Sequence, residues 1–248
     1  MIKMHDIFSK QGFVLMSGDL ESLVNSLYNN KVPEIWESNG YISLKPLKAW
    51  ADDLMQRLEF LQTWCDEGTP KAFWISGFFF PQAFVTGTKQ NYARKMQWPI
   101  DTISFDFVVK DHFKADASDV KDKPLDGCYM YGLFLEAARW NNETHVLDDP
   151  NPKELYSPMP VIHLDPIQNR KFTMKNVYHC PVYKVLTRRG QLSTTGHSTN
   201  FVMWIELPSD KKTIFRKSLV SETNAQVNFA DSEEWVNGGV AIFCALRM

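Results

Sequence analysis

The sequence has no long hydrophobic run. Its longest apolar stretches, near 75–80 and 240–246, fall far short of the roughly 18 residues that a membrane-crossing helix requires. It has few cysteines, four in 248 residues. Cys65, Cys128, Cys180 and Cys244 lie far apart, without the density of a disulfide scaffold or the Cys-x-x-Cys spacing of a zinc site. Lys3, Asp6 and Lys10 interrupt the first stretch, so it has no continuous apolar core of a signal peptide. Together these features read as four free, mostly buried thiols in a reducing, cytosolic environment. Neither sign of charge dominates: 27 Lys and Arg stand against 29 Asp and Glu, a net charge of −2. The longest basic stretches are pairs, among them Arg188-Arg189 and Lys211-Lys212, which make no basic stripe for a nucleic acid. Neither nucleic acid nor a membrane is expected as a partner.

Phosphate-cradling and nucleophile motifs are also missing. No Gly-x4-Gly-Lys-Ser/Thr, Gly-x-Gly-x-x-Gly or Gly-x-Ser-x-Gly occurs. The nearest Gly-containing polar segment is Leu192-Ser-Thr-Thr-Gly-His-Ser-Thr-Asn200. Its hydroxyls could face an anion, but these residues equally bond their own backbone in turns.

What the sequence does have is apolar and aromatic bulk. The apolar share is 44%, with 8 Trp and 17 Phe, and each aromatic ring can bury about 150–250 Å². So much aromatic surface requires a generous core or an extensive partner surface.

The first hundred residues read as helical. Ser17 is a fit N-cap for a helix carrying Leu20, Leu23, Val24, Leu27 and Tyr28, with Asp19 and Glu21 in its first turn. Asn29-Asn30 stop it, and Pro33 opens a short helix through Trp36. Behind Pro46, the residues Leu47, Trp50, Ala51, Leu54, Leu58, Leu61 and Cys65 form one apolar stripe, with Asp52, Asp53, Gln56, Arg57 and Glu59 mainly opposite. Gly68 and Pro70 end that helix. Trp50 and Trp64, on or beside the stripe, are expected in the core. The run 72–80 is apolar without a decisive period, and Pro81 starts another helix to about Met96, which tolerates Gly87 at some cost.

After Pro99 the period becomes two. Ile103, Phe105, Phe107 and Val109 mark a half-buried strand. Further strands are expected over 127–137, 160–165, 177–186, 201–207 and 239–246, separated by loops such as Asp148-Asp-Pro-Asn-Pro152. The stretch 110–124 reads as a solvated loop. Because strands follow one another without long helices between them, antiparallel pairing is expected. The fold class is therefore α+β: a helical part over 1–100, packed on a mostly antiparallel sheet or incomplete β-barrel of about six strands over 101–248, the two forming one continuous unit.

Candidates for chemistry are sparse. His163, Asp165, His179 and Cys180 are the only close set of metal-ligating types. Adjacent strand residues point to opposite faces, so His179 and Cys180 do not readily share an ion. His197 beside Ser198, or Cys128 with a distant base, could be imagined as a nucleophile pair, but sequence neighbours are not a triad. We expect no catalytic, metal or cofactor residue in the chain. Phe78, Phe79 and Phe80 cannot all face one interior, which leaves both core and interface open for Phe79.

Several blocks, taken in order, resemble the C-terminal domain of dynein heavy chains: Lys31-Val-Pro-Glu-x-Trp36, Ser43-Leu-Lys-Pro-Leu47, Ile75-Ser-Gly-Phe-Phe-Phe-Pro-Gln-Ala-Phe84 and Gln90-Asn-Tyr-Ala-Arg94. Tyr129-x-Tyr-Gly-Leu-Phe-Leu-Glu-x-Ala-Arg-Trp140, Cys180-Pro-Val-Tyr-Lys184, 193–202 and Trp235-x3-Gly-Val-Ala241 extend the series to the end of the sequence. The block 193–202 is similar to axonemal dyneins, in particular the single-headed inner-arm group. The segments 110–124 and 211–231 match no pattern of the family.

The resemblance implies a fold of helices followed by an incomplete barrel, lying across one face of the AAA+ ring of the same heavy chain, with Phe79 a candidate ring contact. It implies that the natural polypeptide extends upstream of Met1. ATP and magnesium would belong to the AAA+ modules, and microtubules and the dynein complex would be met only through the parent heavy chain, in the cytoplasm and the ciliary or flagellar axoneme. The role implied is that of a non-catalytic regulator of microtubule-based movement. A stand-alone hydrolase would instead gather His197 or Cys128 with a base in a deep pocket, and a small-ligand module would close a barrel around a cavity.

Overall fold

The computed structural model describes residues 17–41, 43–111, 122–168, 176–188, 199–211, 213–219 and 226–245. Helix α1 (Gly18–Tyr28) begins where Ser17 Oγ accepts the amide of Leu20 at 3.3 Å. It stops at Asn29, whose Nδ2 donates back to the Asn25 carbonyl at 2.8 Å. Helix α2 (Glu34–Asn39) follows Pro33, and α3 (Leu47–Glu67) follows Pro46. Both prolines take the N-cap, one place earlier than the first helical position that they favour. Gly68, at φ 86°, ends α3 in a conformation that a side chain resists.

The buried side of α3 is not the leucine stripe. Leu47, Trp50, Asp53 and Arg57 are buried, and Phe60 and Trp64 pack against the core. Leu58 is 46% exposed, Ala51 and Cys65 are exposed, and Leu54 and Leu61 are only half-buried. The helix is thus turned about its axis by roughly a quarter turn from the expected orientation. The physical reason is aromatic: Phe60 and Trp64 make edge-on contacts with Phe73, Trp74 and Phe78, at centroid distances of 5.1–6.1 Å. Those rings bury more area than the leucines would.

The segment after Gly68 forms strand β1 (Ala72–Trp74) and a short 3-10 turn at 75–77, and then Pro81 opens α4 (Pro81–Met96). The β region holds many more strands than the six expected. These are β2 (Ile103–Val109), β3 (Cys128–Tyr131), β4 (Phe134–Glu136), β5 (Arg139–Asn141), β6 (Val146–Asp148), β7 (Tyr156–Pro158) and β8 (Ile162–Gln168). They continue with β9 (Val177–Tyr183), β10 (Phe201–Pro208), β11 (Thr213–Leu219), β12 (Gln226–Ser232), helix α5 (Glu233–Asn237) and β13 (Ala241–Phe243).

Four sheets result: β1-β3-β8-β2, β10-β9-β13-β4-β7, and the hairpins β5-β6 and β11-β12. None closes into a barrel. Pairing is antiparallel except where β1 meets β3 and β13 meets β9. The expected single strand 127–137 is split by Gly132 and Leu133, so that β3 serves the first sheet and β4 the second. Gly132 sits at φ 87°, and a Cβ there would lie 2.5 Å from the Trp74 ring. The backbone therefore crosses between sheets at a place where only glycine fits. Gly127 has a similar role: at φ 72°, its Cβ would overlap the Leu164 carbonyl.

One core joins the two larger sheets. Met130, Leu135, Ile162, Leu164, Cys180, Ile205, Leu207 and Ile242 are wholly removed from solvent. Phe60, Trp64, Phe78, Phe84 and Val85 of the helical part pack against this same core. A polar tie adds to that contact, with Gln82 Nε2 donating to the Phe201 carbonyl at 2.8 Å, while Arg57 Nη1 donates to the Phe78 carbonyl at 3.3 Å within the helical part. Near the C-terminal end, Trp235 Nε1 donates to Ser209 Oγ at 2.8 Å, beneath the Lys211 ammonium.

Candidate docking surface

Two features of the helical part stand out, a partly covered apolar stripe and a buried charged cluster beside a cleft. The stripe runs along α3 through Ala51, Leu54, Leu58 and Leu61, with Met55 at 65% exposure on its flank. Positions 51, 54, 58 and 61 follow helical spacing and so share one face. Ala51 and Leu58 are exposed and Leu54 and Leu61 half-buried, so the described fold covers that face only in part. Leu20, Val24 and Tyr28 of α1 and Ile35 and Trp36 of α2 are likewise exposed, although their spacing would normally serve a buried contact.

On the neighbouring, buried side of α3, about a quarter turn away, lies the charged cluster. Asp53 accepts the Tyr41 hydroxyl at 2.5 Å, Arg57 Nε at 2.6 Å and Lys45 Nζ at 3.0 Å. The Arg57 guanidinium also lies over the Tyr41 ring, 4.1 Å from its centroid. Burial pushes the Asp53 carboxyl upward, but the bonds from Tyr41 and Arg57 and the guanidinium charge outweigh it and hold the group below the usual range. The Tyr41 phenol is driven well above its usual range, by burial first and then by Asp53.

A cleft of about 490 Å³ opens over this cluster, between α2, the segment 76–81, the stretch just after β9 and the end of β13. Glu37, Arg57, Phe79 and Lys184 are among its walls. The three phenylalanines divide the work between them. Phe78, half-buried, stacks on Phe84 at 4.6 Å against the core and also lines the cleft, Phe79 is half-buried against Tyr41 at 5.9 Å on the cleft wall, and Phe80 is 59% exposed. Phe79 thus stands at the boundary between core and surface.

The candidate chemical groups are not brought together. His163 and Asp165 lie on β8 in the first sheet, whereas His179 and Cys180 lie on β9 in the second. His163 Nε2 contacts the Asp126 carbonyl at 3.0 Å, and its ring packs on Tyr129. His179 Nε2 stands 3.6 Å from Glu206. No group of three or more His, Cys, Asp or Glu capable of holding a metal occurs among the described residues. Cys128 has Thr88 Oγ1 at 3.9 Å, and burial, only partly opposed by that contact, pushes its thiol up to about 11. Burial likewise pushes Cys180 far up, and Cys244 to about 12. These three are inert thiols in an apolar setting. His197 and Ser198 lie outside the described residues, as does all of the polar segment 192–200 except Thr199 and Asn200. Asn200 is structural: its side chain bonds both backbone groups of Val185, at 3.0 and 3.4 Å.

Sequence reasoning missed Asp53 and Arg57, which it placed on the solvent side. Their spacing of four, acid before base, was the available signal. The arrangement as a whole defines an α+β domain with a hydrophobic helical shoulder and a neighbouring charged cleft.

Residues 9–244 match the model of a family described as the C-terminal domain of the dynein heavy chain. The protein belongs to that family. It is 51% identical over 236 residues to dynein axonemal heavy chain 1 of Homo sapiens and 50% identical to that of Rattus norvegicus; each match covers 95% of this sequence and 5% of the relative. Human dynein axonemal heavy chain 3 is 45% identical, with the same coverage. The sequence therefore spans about one-twentieth of the length of these relatives, at 5% each.

Proposed function

We propose that this protein is a non-catalytic regulatory domain that packs on the AAA+ ring of its own heavy chain and tunes the coupling of ATP hydrolysis to microtubule-based movement in the axoneme. The observation that carries this reading is the partly covered apolar face of α3. The helix has two apolar faces, and on the second the described fold leaves Leu58 and the flanking Met55 46% and 65% exposed. Burying a leucine side chain fully is worth about 1.5–3 kcal/mol, so such a stripe favours a partner surface. The relatives are axonemal heavy chains of roughly twenty times this length, with only 5% of each matched, so a large body is available to supply that surface. The inner-arm assignment rests on the likeness of residues 193–202 to that group.

The mechanism is mechanical. A domain touching more than one AAA+ module changes the balance of ring conformations by contacting them unequally. A coupling of about 1–3 kcal/mol gives a 5- to 150-fold shift. ATP and magnesium act in the ring, and no step of hydrolysis is assigned to these residues.

The test is a heavy chain bearing Met55→Glu and Leu58→Glu, at two exposed positions. Nucleotide binding should persist while gliding velocity or microtubule-stimulated ATPase changes several-fold, and the isolated domain with the same substitutions should keep its melting temperature. Loss of nucleotide binding in a folded heavy chain, or unchanged velocity and ATPase, would overturn the proposal.

A further inference from the structure

We propose that the cleft beside Tyr41 receives one carboxylate side chain from the remainder of the heavy chain, with Lys184 as its ionic partner. This rests on the docking reading above and specifies one contact within it. The argument begins with charge. Of the cations lining the cleft, Arg57 is committed, because Asp53 holds its Nε at 2.6 Å and the Phe78 carbonyl accepts from its Nη1 at 3.3 Å. Lys184 is not. Its ammonium lies 5.0 Å from the centroid of the Phe80 ring and has no carboxylate partner among the described residues. Lys184 is half-buried, and burial lowers its basicity, with nearby Cys244 as the opposing influence. A cation partly removed from water with only a ring face for company is poorly compensated.

The geometry then selects the ligand. Thr187, exposed, and Thr199, half-buried, line the same cleft and bring hydroxyls to it beside the Lys184 ammonium. A carboxylate accepts from an ammonium and from hydroxyls alike, so this lining suits one. Glu37 also lines the cleft, its Oε1 held by the Ser43 amide at 3.2 Å, and it opposes a doubly charged phosphate more strongly than a singly charged carboxylate. Phe79, half-buried, lines the cleft, and Phe80, 59% exposed, lies beside the Lys184 ammonium, so an acidic side chain entering here would bring apolar neighbours against these rings. That combination fits an acidic residue set in an apolar protein surface.

The experiment compares the isolated domain with the full heavy chain. N-hydroxysuccinimidyl acetate should label Lys184 in the isolated domain and label it at least tenfold more slowly in the heavy chain. Hydroxyl-radical oxidation of Met55 reports the α3 face in the same samples. If Met55 is protected and Lys184 is not, the cleft inference falls while the docking reading stands; if neither is protected, both fall. Charge is tested with Lys184→Arg and Lys184→Glu. Hydrogen exchange over 75–81 should stay slowed in the heavy chain with arginine, and return at least tenfold toward the isolated-domain rate with glutamate. Equal protection with both substitutions would also overturn the carboxylate contact.

Discussion

Consider the replacement of Asp53 by alanine. The carboxylate is 7% exposed and is shared by Tyr41, Lys45 and Arg57. Its removal leaves the Arg57 side chain, 4% exposed, as a buried charge without its counterion. Breaking a buried pair in this way costs roughly 3–5 kcal/mol, and in a protein of this size each kcal/mol moves the melting temperature by about 2–4 °C. A fall of roughly 6–20 °C is therefore expected, read by thermal unfolding and by the urea midpoint from tryptophan fluorescence. Two controls isolate the cause. Tyr41→Phe removes one hydrogen bond and should cost only about 1 kcal/mol. Asp53→Leu combined with Arg57→Met removes both charges and should cost far less than Asp53→Ala, because replacing a whole buried pair with apolar groups is often nearly neutral.

The pH dependence follows from the lowered Asp53 pKa. A carboxyl depressed in the folded state contributes stability above its unfolded value of about 3.9, and loses it as pH falls through the folded value. The gap between the unmodified protein and Asp53→Asn should accordingly be full at pH 7 and narrow steadily below about pH 4. If Asp53→Ala unfolds within about 1 kcal/mol of the unmodified protein, or the Asn gap does not change with acid, the account of this cluster is wrong.

Further outcomes can be checked directly. Gly127→Ala forces a Cβ into the Leu164 carbonyl at φ 72°, so it should lower stability by at least about 2 kcal/mol, measured by urea unfolding. Of the four cysteines only Cys65 is exposed, so a disulfide reagent should titrate one thiol in the native protein and all four in denaturant. The boundary proposed near residue 100 divides elements, not folding units. Gln82 bonds across it and Phe60 and Trp64 pack against the β core, so helical and β signals should melt in one transition; two transitions would refute this.

By itself the sequence determined the local stops and starts. Ser17, Asn29, Gly68 and Pro81 are punctuation whose effect is set within a few residues, and the helices obey them. The alternation from Ile103 to Val109 likewise specified a strand without outside help. The dynein family was also legible, because ordered blocks such as Ile75–Phe84 carry it residue by residue.

Tertiary structure decided which face each element turns inward. On α3 the leucine stripe and the Trp50–Arg57–Trp64 side were both candidates by periodicity, since acid and base four residues apart can neutralise each other and be buried. Ring packing from Phe73 and Phe78, which are distant in sequence, chose between them. The same holds for the split at Gly132, where the approach of Trp74 sends two halves of one apolar run into different sheets. Long-range contacts of this kind have no local signature, so only the folded protein reveals the stripe left over for a partner.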